Sequence, residues 1–182
     1  MFEVCAHRYV HVGEPGFGVA VLADGPRGYD VRGPALALTL LRAARYPDPS
    51  ADRGQRDLHW SWWVHDGDPF DAGIETEAHR LAHPVRVVAG RPVTTAPIVD
   101  CAVPGVLVGA VKRAEDGSGD LVVRLWETRG ARTTGHLTWR DGAASVVECD
   151  LLERPLAPLQ LGPEGTVAIA MRPFQVLTLR AR

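Results

Sequence analysis

Cysteine is scarce in this sequence: Cys5, Cys101 and Cys149 are the only three in 182 residues. They lie far apart, and each sits inside a strand-like stretch. An odd, scattered set without short spacings excludes a disulfide framework and points to reduced thiols in a cytoplasmic protein. Excess charge is missing as well, because 20 Lys and Arg against 22 Asp and Glu leave a formal net charge of −2. That balance offers no electrostatic footprint for nucleic acid or for an anionic membrane surface. No apolar run approaches the roughly 20 residues that a membrane-spanning helix needs. The opening MFEVCAHRYV lacks the charged and apolar regions of a secretory leader, so none is expected. There is no Gly-rich phosphate loop, internal repeat or low-complexity tract. No GxSxG elbow is present, and Ser50, Ser61, Ser118 and Ser145 stand in no recognisable nucleophile context.

What is present is an ordinary globular composition, 46% hydrophobic and 23% charged, which argues against disorder. The length suits one domain or two small ones. The stretch from Glu14 to Pro49 holds two apolar runs, Phe17–Leu22 and Ala35–Leu41. In the second, Leu36, Leu38 and Leu40 alternate with Ala35, Ala37 and Thr39, the period of a strand with one better-buried face. The Gly/Pro-rich connection Asp24-Gly25-Pro26-Arg27-Gly28 predicts a structured polar tip between two long strands. Asp24, Arg27, Tyr29 and Asp30 on that tip are the candidate binding residues, because a rigid sheet positions an otherwise mobile loop. Asp24 and Asp30 also form the one conceivable carboxylate pair for glycoside hydrolysis, although turn capping is the usual work of Asp beside Gly.

Phe2–Val12 reads as an opening strand, with Phe2, Val4 and Ala6 facing in. Leu58–Val64 reads as another, and alternation groups Leu58, Trp60 and Trp62 on the apolar side with His59, Ser61 and Trp63 opposite. Large aromatics buried between layers account for this pattern; an exposed carbohydrate platform is the other reading. One helix is predicted over Asp68–His83, capped by Asp68 with Pro69 in its first turn, its apolar face carrying Phe70, Ile74, Ala78 and Leu81. His79 and His83 have metal-ligand spacing, but Arg-Leu-Ala between them supplies no catalytic Glu and no third ligand is near, so a solvated last turn is expected. Val85–Pro97 reads as a linker beginning with a short strand. Seven β segments follow: Ile98–Val103, Val106–Lys112, Leu121–Trp126, Gly135–Trp139, Ser145–Leu152, Thr166–Met171 and Phe174–Arg180. Turn signals between them, among them Pro104-Gly105 and Asp141-Gly142, predict an antiparallel sandwich. Asp116–Asp120 has a superficial calcium-loop look but lacks the ligand pattern, and reads as a hairpin turn.

Several of these stretches resemble the C-terminal region of bacterial family 38 α-mannosidases. They are FEVCAHRYV, EPGFGVAVLADGPRGYDVRG, LTLLRAARYPDP, VKRAEDGSGDLVVRLWE, CDLLERPL and RPFQVLTLR, in the family's order and over most of the chain. Within the tip Asp24, Gly28, Tyr29 and Asp30 match the family pattern, while Ala23, Pro26 and Arg27 depart from it. The resemblance implies a mostly β fold: the end of a mutarotase-like supersandwich over residues 1–90, including the helix near 69–83, then a small terminal β-sandwich over 91–182. It also implies a non-catalytic role, with the nucleophilic carboxylate and the zinc in a barrel domain that these residues do not include. On that reading the partners are the barrel domain, an α-mannoside if the tip reaches the sugar, and a second copy through an uncovered sheet edge. A free-standing carbohydrate-binding module using Trp60, Trp62, Trp63 or Trp126 is the alternative.

Overall fold

The structure is a computed structural model that describes residues 3–91, 96–140 and 142–182. The expectations for Phe2, Pro92 and Asp141 lie outside the described residues. Two compact units divide the chain, Met1–Ala89 and Gly90–Arg182. Both are built from antiparallel sheets, and the described residues contain one α-helix, so the mostly β expectation holds.

The first unit contains β1 (Val4–Cys5), β2 (Tyr9–Glu14), β3 (Phe17–Ala23), β4 (Gly28–Arg32), β5 (Ala35–Thr39), β6 (Trp60–Asp66) and helix α1 (Ile74–Ala82). The strands form two three-stranded sheets, ordered β2-β3-β6 and β1-β4-β5. The run from Ala20 to Ala23 is buried without alternation because both faces of β3 are covered. Ala20 and Leu22 pack on Ile74 and Ala78 of α1, while Val21 and Ala23 pack on Tyr29, with Leu36 and Leu38 against them. Ile74 is fully enclosed, and its burial alone contributes about 2–3 kcal/mol.

The predicted long hairpin does not form. Phe17–Ala23 pairs with β2 and β6, whereas Ala35–Thr39 pairs with β4. A two-residue turn decides this: Gly33 takes φ 56, Pro34 follows, and Arg32 stands opposite Ala35. The end of the predicted tip, from Gly28 through Tyr29 and Asp30, is thereby drawn into a strand. The opening segment also splits, since β1 and β2 enter different sheets on either side of Ala6–Arg8. The helix begins later than its capping signal suggests. Asp68 does cap, its Oδ1 accepting from the Phe70 and Asp71 amides at 2.8 and 3.2 Å. Gly73 at φ 80 then interrupts the coil, and regular helix starts only at Ile74. No strand forms over residues 85–91.

The second unit holds β7 (Val99–Cys101), β8 (Val106–Arg113), β9 (Leu121–Glu127), β10 (Thr133–Trp139), β11 (Val146–Cys149), β12 (Pro155–Leu159), β13 (Thr166–Met171) and β14 (Val176–Ala181). A three-stranded sheet, β13-β10-β7, faces a five-stranded one, β12-β11-β14-β9-β8. Leu137, Trp139, Val167 and Ile169 of the first meet Val123, Leu125, Leu177 and Leu179 of the second. This is the expected sandwich. The Asp116–Asp120 turn joins β8 to β9, and its carboxylates are taken by arginine: Arg180 bonds Asp116 and Asp120 at 2.7 Å each. Strand β12 is missing from the sequence reading because Pro155 and Pro158 disguise it. Proline is tolerated there because β12 is an edge that pairs with β11 alone.

Glu127 closes one end of this sandwich. Its side chain is wholly buried, and its carboxylate accepts from the amides of Arg129, Gly130 and Phe174 at 2.8–2.9 Å. Burial alone would push this carboxyl up, but the amides of Phe174, Arg129, Ala131 and Gly130 together hold it below its usual range. The same bonds hold Phe174 at φ 56, which is why β14 starts at Val176 and not at Phe174. Substituting Glu127→Gln replaces one acceptor oxygen with a donor facing an amide. A loss of about 2–3 kcal/mol in urea unfolding is expected. The wild-type contribution is complete above the ordinary Glu value of about 4.3 and is lost as pH falls through the lower folded value. The acid limb of the stability curve should therefore flatten in Glu127→Gln.

Candidate functional site

The four candidate tip residues do not converge. Asp24 follows β3 and is exposed; its amide donates to the His59 carbonyl at 3.1 Å, and its carboxylate lies 3.8 Å from His59 Nδ1. Arg27 is exposed and holds its backbone in place by accepting from the Ala6 amide at 3.0 Å. On β4, Tyr29 points into the core and Asp30 to the opposite face, as alternation requires. Asp30 pairs with Arg32 at 2.7 Å. Tyr29 is fully buried, and burial, with a smaller contribution from Cys5, pushes its phenol up.

Arg27 instead opens onto a cleft of about 580 Å³, whose lining includes Glu3, Cys5, Thr39, Leu41 and Arg42. Thr39 Oγ1 donates to Glu3 across the pairing of β5 with β4, and Gly28 makes room for this: a Cβ there would stand 2.8 Å from Glu3 Oε1. The cleft thus offers two guanidinium groups, Arg27 and Arg42, and two carboxylates, Glu3 and Asp52, donors and acceptors suited to hydroxyl-bearing ligands. Glu3, Thr39 and Arg42 are not among the candidate site residues of the sequence reading. They are brought together only by the β1-β4-β5 pairing, which no local pattern announces.

His79 of α1 and the capping His83 are both engaged by neighbours. Their rings stack with centroids 4.2 Å apart. Arg8 donates to His79 Nδ1 at 2.7 Å, so this ring is neutral with its proton on Nε2; the His83 Nδ1 lies 3.0 Å from the His79 carbonyl. Burial, then His83 and Arg8, push His79 below its ordinary value. Among the described residues no three His, Cys, Asp or Glu side chains gather as a cation site.

Strand β6 reverses the expected sidedness of the tryptophans. Trp63 packs toward α1, while Trp60, Trp62 and Val64 point to the other face and remain 47%, 52% and 61% exposed. Phe17 and Val12 continue that face on the neighbouring strands. The Leu58 pattern misled because the residues that cover this strand come from a helix further along the chain.

Comparisons with known proteins agree in both halves. Residues 1–50 match the family described as glycosyl hydrolases family 38 C-terminal domain, and residues 105–179 match its C-terminal beta sandwich domain. The chain is 35% identical to alpha-mannosidase 2C1 of Homo sapiens over 98% of its own length, and 28% identical to alpha-mannosidase G of Dictyostelium discoideum. It spans only 18% and 17% of those two proteins. The crystal structure of an alpha-mannosidase from Enterococcus faecalis shares the fold, with a TM-score of 0.75 at 20% identity, over the whole of this chain and 21% of that one.

Tyr29 separates a packing role from a ligand role. Its hydroxyl meets no hydrogen-bond partner among the described residues. Tyr29→Phe should leave the unfolding midpoint unchanged or raise it slightly, whereas Tyr29→Ala should cost about 3–5 kcal/mol in denaturant unfolding.

Proposed function

This chain belongs to glycoside hydrolase family 38, whose C-terminal domains it carries in order, and from that premise we propose that it is the non-catalytic β-sandwich region of an α-mannosidase. The observation that carries the reading is the pattern of coverage: 98% of these residues align with only 18% of the human relative. Bond cleavage is assigned to polypeptide outside these residues, and zinc, where such an enzyme uses it, to that same polypeptide.

The state of the carboxylates supports this division. Glycoside hydrolysis needs one carboxyl kept protonated by a raised pKa and another ionised. In the second unit Asp116, Asp120, Glu127, Asp150 and Glu153 are all held below their usual range, each by backbone amides or basic side chains. Such groups stay ionised and serve as acceptors, not as acids. The exposed face with Phe17, Trp60, Trp62 and Val64 is assigned to contact with the catalytic domain. The Arg27 cleft is assigned to the wall of the sugar pocket; Asp24 and Asp30 do not line it. The setting we assign is cytoplasmic, in keeping with three free thiols. No helix is long and apolar enough to cross a membrane among the described residues.

In an enzyme carrying this region, Arg27→Ala should lower kcat/KM for an aryl α-mannoside at least tenfold, about 1.4 kcal/mol of transition-state binding. An unchanged kcat/KM removes the cleft from the pocket. These residues alone should show no turnover of the same substrate, and measurable turnover defeats the proposal. The exposure of Trp60 and Trp62 favours one second reading, a carbohydrate-binding module. Mannan titration of tryptophan fluorescence decides between them: saturable quenching supports the module, and a flat titration supports the docking face. Should the face stay uncovered, sedimentation will show a dimer.

A further inference from the structure

On the face of β3 that meets α1, His11 of β2 and His65 of β6 reach toward each other from opposite sides. Their Nε2 atoms are 2.9 Å apart, and their ring centroids 5.1 Å apart with 27° between planes. The centroid distance exceeds the nitrogen distance by one ring width, so the rings meet tip to tip, not face to face. His65 is 93% enclosed at 7% exposure. Its Nδ1 lies 3.3 Å from the Asp66 carbonyl oxygen, which can only accept. Nδ1 therefore carries the His65 proton and Nε2 presents a lone pair, so His11 donates from Nε2. One proton fills the gap.

The notch that holds the rings exists because two strand positions lack a side chain. A Cβ at Gly18 would stand 2.2 Å from His11 Nε2 and 2.6 Å from His65 Nε2, and one at Gly13 would stand 2.6 Å from His11 Cε1. β3 itself contributes no titratable group. Asp68, in the turn after β6, bears on His11. The side chains of Glu14 and Asp66 alternate to the other face, and Glu75 of α1 bears on Tyr9.

We propose that His11 and His65 form a one-proton clamp that ties the two outer strands of this sheet together across β3 and releases them on acidification. One added proton, on His11 Nδ1, leaves the Nε2–H···Nε2 bond in place; once both rings are protonated both Nε2 atoms are donors aimed at each other, and attraction turns to repulsion between like charges. Burial and the neighbouring His65 push His11 below its ordinary value, with Asp68 offsetting part of the effect. The sign follows: the unfolded chain takes up the proton first, so stability is lost as pH falls below the ordinary His value of about 6.5. Release would loosen β6, the strand that presents Trp60 and Trp62.

Long-range nitrogen–proton NMR of the histidine rings in the full chain tests the clamp directly. The expected result near neutral pH is two different tautomers, Nε2–H for His11 and Nδ1–H for His65, lost together on titration to about pH 5. Two identical tautomers, or two independent titrations, overturn the proposal. Between about pH 7.5 and about pH 5.5 the unfolding constant of the wild type should rise about tenfold more than that of the His11→Gln, His65→Gln double variant. Gly18→Ala keeps both histidines but forces the rings apart, and it should abolish the tautomer difference. An equal pH response in wild type and double variant also overturns the proposal, and the wild-type ring spectra decide alone should either variant fail to fold.

Discussion

The first unit depends on the burial of β3 on both faces. A strand covered on one side alternates large and polar residues; this one cannot, because Ala20 and Leu22 meet the helix while Val21 and Ala23 meet the second sheet. Two consequences follow from packing density. Side chains on β3 must be small where a helix crosses closely, and Ala20 meets that need, while Gly18 leaves room for the rings of His11 and His65. Any added volume has nowhere to go, since interiors are close-packed and overpacking displaces backbone. The helix, the two sheets and the histidine notch are therefore coupled through one strand. A change in β3 is felt in three layers at once.

In the second unit the corresponding constraint is electrostatic. Glu127, Asp120 and Glu153 are buried or nearly so, and each is enclosed by donors that stabilise its ionised form. Arg180 ties Asp116, Ser118 and Asp120 of the β8–β9 turn to β14, and Asp116 is held at about 2, first by Ser118 and then by Arg180. Lys112 and Glu153 join β8 to the turn before β12 at 2.7 Å. These carboxylates substitute for hydrogen bonds that irregular turns cannot make within the sheet. A carboxyl committed in this way cannot also cycle its proton in catalysis, which is why the chemistry of this unit reads as mechanical.

The local grammar of the sequence was legible where turns and periodicity are local. Seven of the eight strands of the second half follow from alternating runs separated by Gly, Pro and Asp, and the helix follows from Ile74, Ala78 and Leu81. What escaped depends on partners remote in sequence. Gly28–Arg32 looks like loop because its apolar residues are few, yet Tyr29 and Val31 suffice once β5 folds back on Gly33-Pro34. Glu127 follows an apolar strand and gives no sign that amides 47 residues away will close on it. The pair His11 and His65 is 54 residues apart, and no motif links them. Of the candidate site, Arg27 was legible as an exposed turn residue. Its companions Glu3, Thr39 and Arg42 were not, because a cleft between strands is a product of register.

The exposed aromatic face bears on both functional readings, and its composition distinguishes them. A sugar presents hydroxyls around its rim as well as an apolar face, so a sugar platform couples a flat aromatic surface to a few well-placed polar groups. Trp60 and Trp62 are set edge to face, 82° apart with centroids at 6.0 Å, and do not make one flat surface. Around them stand Val12, Phe17 and Val64, which offer no hydrogen bonds. Beneath Trp62 the groove of about 450 Å³ continues with Val19, Pro34 and Leu36. An occupant that satisfied this surface would be apolar and would bring its own backbone hydrogen bonds already paired, as a helix or a strand already within a sheet does. A mannoside seated there would find one carboxylate, Glu14, in the lining of the groove, so most of its hydroxyls would go without partners, at a cost comparable to the stacking it gained. The chemistry of the face therefore weighs toward protein as its cover, and the groups matched to hydroxyls lie instead in the polar cleft around Arg27 and Arg42.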